Sequence, residues 1–194
     1  MTSAIVLAAG LSSRMGDNNK LLLPYKNKTI IENTLQSIIS SPIKEVIIVL
    51  GKDYEKITPL IKHLPVQIEM NENFSSGLTS SIQAGILKAN GSAYMLCLAD
   101  MVLISSEEYK FIYSQFEKAL LSDPKVIGVP VYEGKKGNPV VFSSFYKNSI
   151  LNHIPKDGCK EIVQMNQQHV FNIPMKSDHI LRDMDTIADY EKFK

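Results

Sequence analysis

The chain has 194 residues, 44% of them hydrophobic, which favours a single domain spanning residues 1–194 with a full core. Lys plus Arg number 21 against 20 Asp plus Glu, so the net charge of +1 lacks the basic excess of a general nucleic-acid binder. No apolar run approaches the roughly 20 residues that a membrane span requires. The N-terminus shows no signal-peptide pattern, and Cys97 and Cys159 form no CxxC motif. We therefore expect a cytoplasmic protein with reduced thiols and neither nucleic acid nor membrane as a partner.

Short apolar runs alternate with segments of helical periodicity. Five runs predict strands, several of them apolar on both faces as in a parallel sheet covered on both sides: 4–9, 45–50, 66–70, 93–99 and 125–131. Apolar residues at helical spacing predict helices at 30–39, 78–87 and 111–121. Residues 132–139, "YEGKKGNP", predict a small hairpin insertion. The order of these elements indicates an α/β fold with a mostly parallel sheet.

Ligands of open parallel sheets bind at the carboxyl ends of the strands. The residues that follow the apolar runs are therefore the informative ones, namely 10–20, Gly51, 71–77 and Asp100.

The first of these segments, "LAAGLSSRMGDNNK", covers residues 7–20. Its small residues 8–10 would let a ligand lie against backbone N–H groups, which can cradle phosphate oxygens. Arg14 offers a planar fork for a phosphate and Lys20 a point charge. The loop matches neither the GxGxxG pattern nor the P-loop pattern. An ordinary strand-to-helix turn with solvated charges explains it equally well.

Three aspartates are candidate metal ligands. Asp100 follows an apolar strand, where a carboxylate can hold Mg²⁺ together with phosphate oxygens. Asp183 and Asp185 are two positions apart and would face the same side of an extended segment. The alternatives are a turn role for Asp100 and capping of the last helix, 187–193, by Asp185 or Thr186.

Polar residues also precede the helix predicted at 78–87. Ser80 and Ser81 would lie in its first turn, where they could contact a base or sugar, or cap the helix. Two later turns supply Asn138 and Lys160 as further candidate site residues, although each turn by itself is weak evidence for a site. The histidines lack metal-ligand spacing and no GxSxG motif is present, so we reject metalloprotease and serine-hydrolase interpretations.

Together these segments resemble the MobA-like nucleotidyltransferase family, and within it the molybdenum cofactor cytidylyltransferases. Residues 7–20 are similar to LAAGxSxRMGxxK, with one extra residue before the lysine. Four further stretches resemble NPxWxxGMxxSLxxG, LxGDMP, YxGxxGHPVxF and GDxGARxLL, with Phe74, Ala99, Val102 and Asn138 as departures. "DMDTIADY" resembles DxDTPEDY. The resemblance follows the same order over essentially the whole chain.

The resemblance implies a Rossmann-like three-layer fold that transfers a nucleoside monophosphate from a triphosphate to a phosphorylated acceptor and releases pyrophosphate. It assigns Arg14, Lys20 and Asp100 to catalysis. It also makes Asp100 a ligand of Mg²⁺, with Asp185 favoured over Asp183 as the second ligand. The implied nucleotide-binding residues are Leu7, Ala8, Ala9, Gly10, Ser12, Arg14, Lys20, Asn71, Gly77, Ser80 and Ser81. Asn138 and Lys160 fall on the acceptor side.

The family's cytidylyltransferases show LAAG where its guanylyltransferases show LAGG, so Ala9 favours CTP by resemblance. Molybdopterin is the acceptor that the resemblance favours, and the oxidoreductase that receives the finished cofactor would be a partner. Two alternatives stay open: a sugar or alditol phosphate as the acceptor, and a non-catalytic protein that binds the cofactor and inserts it. Because an acceptor phosphate is already an ionised nucleophile, the reaction needs alignment and charge neutralisation more than a strong base.

Overall fold

The computed structural model describes residues 1–10, 19–184 and 187–193. Ser12, Arg14 and Asp185, three of the predicted site residues, lie outside these ranges. Within them, no helix combines the length and the apolar character needed to cross a membrane.

The described part of the chain contains one large sheet and a small antiparallel pair. In chain order the strands are β1 Thr2–Ala8, β2 Pro24–Tyr25, β3 Lys28–Thr29, β4 Glu45–Leu50, β5 Gln67–Met70, β6 Ala93–Leu98, β7 Ile127–Tyr132, β8 Lys135–Lys136, β9 Val140–Ser143 and β10 Val170–Pro174. The large sheet has the order β10-β7-β9-β6-β1-β4-β5, and β8 pairs with β7. β1 runs parallel to β4 and β6, whereas β9 runs antiparallel to β6 and β7. The predicted mostly parallel sheet is confirmed.

Helices connect the strands and cover both faces of the sheet. They are α1 Ile30–Ile39, α2 Tyr54–Ile61, α3 Leu78–Lys88, α4 Ser106–Ser122, α5 Lys147–Leu151, α6 Lys160–Met165 and α7 Ile187–Phe193. Capping boxes begin two of them, Thr29 with Glu32 at α1 and Ser105 with Glu108 at α4. The three helices predicted from periodicity and the last helix at 187–193 are confirmed. The sequence did not predict α2, α5, α6 or β10.

The core lies in two layers, one on each face of the sheet. Along β1, Ala4, Val6 and Ala8 face one layer, whereas Ile5 and Leu7 face the other. Apolar residues of α1 and α4 fill the first layer, and those of α3, α5 and α6 fill the second. Helix, sheet and helix therefore form the three layers that the resemblance implied.

The predicted hairpin insertion is also present. β7 turns back into β8 through Glu133 and Gly134, which have φ angles of 47° and 78°. Two successive residues with positive φ match the twist of a tight hairpin. The chain then returns as β9 between β6 and β7, and this brings Gly137 and Asn138 near the carboxyl end of β7.

Candidate functional site

A cavity of about 310 Å³ lies at the carboxyl ends of β1 and β6, beside the first turn of α3. Hereafter it is called the loop cavity, after the loop predicted from the sequence at residues 10–20, of which Gly10 and Lys20 line it. The described residues that line it are Leu7, Ala8, Ala9, Gly10, Lys20, Leu21, Phe74, Ser75, Gly77, Leu78, Ser81, Leu98 and Asp100. The structure thus brings together predicted site residues from three distant segments.

The charged pair of the loop cavity is Lys20 with Asp100. Lys20 Nζ lies 2.5 Å from Asp100 Oδ2, and the two side chains are 15% and 13% exposed. Partial burial lowers the effective dielectric around the two groups and strengthens their attraction. A cation and a carboxylate in contact can neutralise and orient a polyphosphate and its metal ion.

The chain leading to Lys20 is anchored by Asn19, a residue that the sequence analysis did not single out. Its side-chain oxygen accepts a hydrogen bond from the Leu21 N–H, and its amide donates to Asp53 Oδ2, both at 2.9 Å. Burial of Asp53 favours its neutral form, but hydrogen bonds from Asn19 and Lys56 outweigh that effect and lower the pKa of Asp53. One feature of the sequence could have pointed to this contact. Asp53 lies two residues after Gly51, just beyond the carboxyl end of β4, where polar residues of a parallel sheet gather.

The two predicted serines of α3 have different surroundings. Asn71 donates hydrogen bonds to Ser80 Oγ at 2.9 Å and to Ser81 Oγ at 3.0 Å. The Ser80 hydroxyl also contacts the carbonyl oxygens of Asn73 and Gly77. Ser81 lines the loop cavity, whereas Ser80 and Asn71 are not among its lining residues. Ser81 is therefore the serine at the wall of the loop cavity, while the hydrogen bonds of Ser80 and Asn71 hold the first turn of α3.

Asp100 is the described carboxylate best placed for a metal ion. The Met184 N–H donates to the Asp100 carbonyl oxygen at 3.3 Å, which brings the neighbouring Asp183 to this end of the sheet. In the described ranges, no group of three or more His, Cys, Asp or Glu side chains could hold a metal ion. Mg²⁺ commonly uses one or two protein carboxylates plus phosphate oxygens. Asp100 alone, as one carboxylate ligand, would fit a Mg²⁺ ion whose other ligands come from a triphosphate.

A second cavity, of about 460 Å³, lies against the strands on the α3 side of the sheet and is called the sheet cavity. It shares Leu7, Leu78 and Leu98 with the loop cavity, so the two adjoin. Its apolar lining also includes Ile82, Leu96, Val129, Val140, Phe142 and Val163. Its polar lining is Lys136, Asn138, Asp157, Lys160, Gln164 and Gln167. Both residues predicted on the acceptor side, Asn138 and Lys160, are in this set.

Cys159 also lines the sheet cavity, and the sequence gave no reason to place it there. Burial raises the pKa of the Cys159 thiol to about 12. Burial raises the pKa of Cys97 as well, inside the core. Both cysteines are unpaired, as predicted. Because a thiolate is the nucleophilic form, neither thiol is prepared for attack at neutral pH.

The family model for the MobA-like NTP transferase domain matches residues 4–170. The chain therefore belongs to the MobA-like NTP transferase family, and its fold is that of a Rossmann-like nucleotidyltransferase. The matched range contains the loop-cavity residues Gly10, Lys20 and Asp100 and the residues that line the sheet cavity.

Two curated relatives match nearly the whole chain. The chain is 24% identical over 197 residues to a nicotine blue oxidoreductase from Paenarthrobacter nicotinovorans, covering 95% of this chain and 92% of that protein. It is 23% identical over 188 residues to the molybdenum cofactor cytidylyltransferase of Escherichia coli K12, covering 96% and 92%. Among solved structures, a nucleotidyl transferase from Methanothermobacter thermautotroptrophicus superposes with a TM-score of 0.83 at 20% identity, covering 99% and 95% of the two chains.

Proposed function

We propose that this protein is a cytoplasmic, Mg²⁺-dependent cytidylyltransferase that transfers CMP from CTP to a phosphorylated acceptor, molybdopterin, and releases pyrophosphate. One observation carries the proposal. The loop cavity, which contains Lys20 and Asp100, directly adjoins the sheet cavity, which contains Asn138 and Lys160. A nucleotide in the first and an acceptor in the second would meet at the shared wall of Leu7, Leu78 and Leu98.

The protein's own groups would act by position and charge. Lys20 would leave Asp100 to contact the triphosphate and neutralise charge on the departing pyrophosphate. The backbone of residues 8–10 would approach the nucleotide closely, since those side chains are small. Arg14 is proposed to share the phosphate charge with Lys20. Asp100 would hold Mg²⁺, with Asp185 or Asp183 as a second ligand, and the bound ion supplies Lewis-acid stabilisation of the phosphate oxygens.

The lining of the sheet cavity favours molybdopterin over a sugar or alditol phosphate. Its walls are mostly apolar, and its polar groups include Lys136, Asn138 and Lys160. Burying sugar hydroxyls against apolar walls without partners would be unfavourable. A flat ring system packs well against such walls, while lysines at the same cavity can hold its phosphate. The acceptor phosphate would then attack the α-phosphorus of CTP.

Base preference is the second part of the proposal. Ala9 supports CTP through the resemblance, and Ser81 supports contact with the base through its position in the loop cavity. A thermal-shift panel with Mg²⁺ and CTP, GTP, UTP or ATP tests this directly. We expect CTP to raise the melting temperature most. Equal protection by GTP or UTP would contradict the CTP assignment.

The decisive experiment is a reconstitution. Purified protein is incubated with CTP, Mg²⁺ and extracted molybdopterin, and the products are analysed by mass. We expect the molybdopterin–cytosine dinucleotide with one pyrophosphate per turnover. A protein that binds the dinucleotide tightly but releases no pyrophosphate would instead be the cofactor-inserting protein. Transfer to sugar or alditol phosphates in a parallel reaction would reassign the acceptor.

A redox reaction is a second candidate, because one full-length relative is named a nicotine blue oxidoreductase. The same protein preparation tests it with NADH or NADPH and an oxidised aromatic heterocycle. Consumption of the reduced nicotinamide that depends on the heterocycle, without pyrophosphate release from any triphosphate, would favour that candidate over nucleotidyl transfer.

A further inference from the structure

Thr79 connects the first turn of α3 to residues 155–158. Thr79 is a buried residue, 4% exposed. The Thr79 hydroxyl donates a short hydrogen bond to the Pro155 carbonyl oxygen and accepts one from the Gly158 N–H at 3.1 Å. The Thr79 N–H donates to the Lys156 carbonyl oxygen at 3.4 Å. One buried threonine therefore holds both ends of this turn.

Two glycines let the same segments approach closely. Gly77 has a φ of +103°, and a Cβ there would lie 2.6 Å from the Lys156 carbonyl oxygen. Gly158 has a φ of +88°, and a Cβ there would lie 3.0 Å from Leu78 Cδ2. Positive φ values and such short approaches are open to glycine and costly for other residues. Gly77 thus packs against the backbone of Lys156 and Gly158 against the side chain of Leu78, with Thr79 joining the two segments.

The segments joined by Thr79 belong to different cavities. Gly77 and Ser81 line the loop cavity, and residues 157–160 line the sheet cavity. Leu78 lines both, whereas Thr79 is absent from both sets of lining residues. A ligand that fixes the first turn of α3 would therefore fix residues 157–160 through the hydrogen bonds of Thr79.

We propose that Thr79 is a positioning residue that couples nucleotide binding in the loop cavity to the shape of the sheet cavity. The inference rests on the proposed function, in which these cavities hold nucleotide and acceptor. Coupling of this kind is reciprocal, so a bound acceptor would tighten nucleotide binding by the same factor. It would favour acceptor binding after the nucleotide is in place.

The test measures amide hydrogen exchange with and without Mg²⁺ and a CTP analogue whose α and β phosphates are joined by a methylene group. In the unchanged protein we expect the analogue to slow amide exchange in residues 7–10 and 98–101, which contain lining residues of the loop cavity. We also expect it to slow amide exchange about tenfold in residues 156–160. The Gly158 amide is the direct reporter, since it donates to Thr79. The acceptor is absent, so turnover plays no part in this readout.

Three variants separate coupling from a general loss of structure. Thr79→Val keeps the shape of the side chain and removes both hydrogen bonds of its hydroxyl, and Thr79→Ser keeps them. Thr34→Val makes the same chemical change at a buried threonine of α1 whose hydroxyl has no hydrogen-bond partner among the described residues. We expect Thr79→Val to bind the analogue but to lose the added protection at 156–160, while the other two variants retain it.

The outcomes distinguish this inference from the proposed function. Two outcomes overturn the coupling role alone. In the first, Thr79→Val keeps the full nucleotide-induced protection at 156–160. In the second, the unchanged protein gains no protection at 156–160 although residues 7–10 and 98–101 are protected. Absence of protection at 7–10 and 98–101 with every triphosphate overturns the proposed function and the coupling with it. With molybdopterin present, we expect Thr79→Val to raise the acceptor KM about tenfold with a smaller change in kcat. A tenfold loss in kcat with an unchanged acceptor KM would overturn the coupling role.

Discussion

The loop cavity and the sheet cavity share three leucines but are built in different ways. The loop cavity combines small residues 8–10 with one close pair of opposite charges, Lys20 and Asp100. The sheet cavity is walled by apolar side chains from several strands and helices, with amides and lysines among its lining. The first arrangement suits a charged polyphosphate, which needs neutralisation. The second suits a bulky, partly apolar body. Under the proposed function, the contrast would separate the phosphate chemistry from acceptor recognition on this fold.

The largest effect is expected from Asp100→Asn, which removes the charge at the centre of the loop cavity with little change in shape. Loss of the carboxylate proposed to hold Mg²⁺ should lower kcat by about 10⁴-fold, since a catalytic metal ion contributes several kcal/mol. Pyrophosphate release under saturating CTP and acceptor measures it. Glu107→Gln, at a carboxylate of α4 whose side chain is 79% exposed, is the matched control. Unchanged release by Asp100→Asn would remove Asp100 from the metal role.

The second-largest expected effect concerns the reactivity of Cys159, which lines the sheet cavity. With the pKa of Cys159 raised from 9.0 to about 12, the thiolate fraction near neutral pH should be about 10³-fold lower than for an ordinary thiol. Alkylation by iodoacetamide in the folded protein should therefore be slow and should accelerate about tenfold per pH unit on the alkaline side of neutrality. Mass analysis of the peptide carrying Cys159 reports the rate. Rapid labelling near neutral pH would show that the cavity is wetter than its lining indicates.

Lys20→Met should lower kcat/KM for CTP by about 10²-fold, because it removes a cation from the phosphates and leaves Asp100 without this partner. Steady-state kinetics with varied CTP give the value. Lys110→Met serves as the control, since that side chain is 58% exposed and pairs with Glu107 on α4, remote from the loop cavity in sequence. If both lysine variants behaved alike, the effect would reflect net charge and not the Lys20 contact.

Lys160→Gln should have the smallest effect, because Lys160 is exposed at the sheet cavity. We expect the acceptor KM to rise about tenfold, equivalent to about 1.4 kcal/mol, with the KM for CTP unchanged. Lys110→Gln, at an exposed lysine of α4, controls for charge. A change in the CTP KM instead would mean that the two cavities do not divide the substrates as proposed.

The sequence predicted the elements whose patterns are strong and missed those whose patterns are weak. β1 and β4 are nearly continuous apolar runs, and α1 carries a clear apolar stripe. In contrast, α2 contains Pro59 inside only 8 residues, and α6 has 6 residues with one buried apolar position. Short helices of this kind are stabilised by packing more than by local propensity, so a window of sequence carries little signal for them.

Site prediction followed the same rule. Lys20, Asp100, Gly10 and Gly77 were predicted by following strands to their ends, and the structure places all four around the loop cavity. Ser80 and Ser81 could not be told apart from sequence, because only the folded structure shows that Ser81 lines the cavity while Ser80 bonds to the carbonyl oxygens of Asn73 and Gly77. The apolar walls of the sheet cavity were equally hidden, since in sequence they are indistinguishable from ordinary core residues.

The sequence by itself determined the α/β class, the positions of the main strands along the chain and the loop composition at their carboxyl ends, because these depend on local patterns of apolar, small and charged residues. Tertiary structure decided that Lys20 meets Asp100 across 80 positions, that β9 enters between β6 and β7, and that Thr79 reaches Pro155. Contacts between remote segments depend on strand order, register and packing, and no local pattern specifies these.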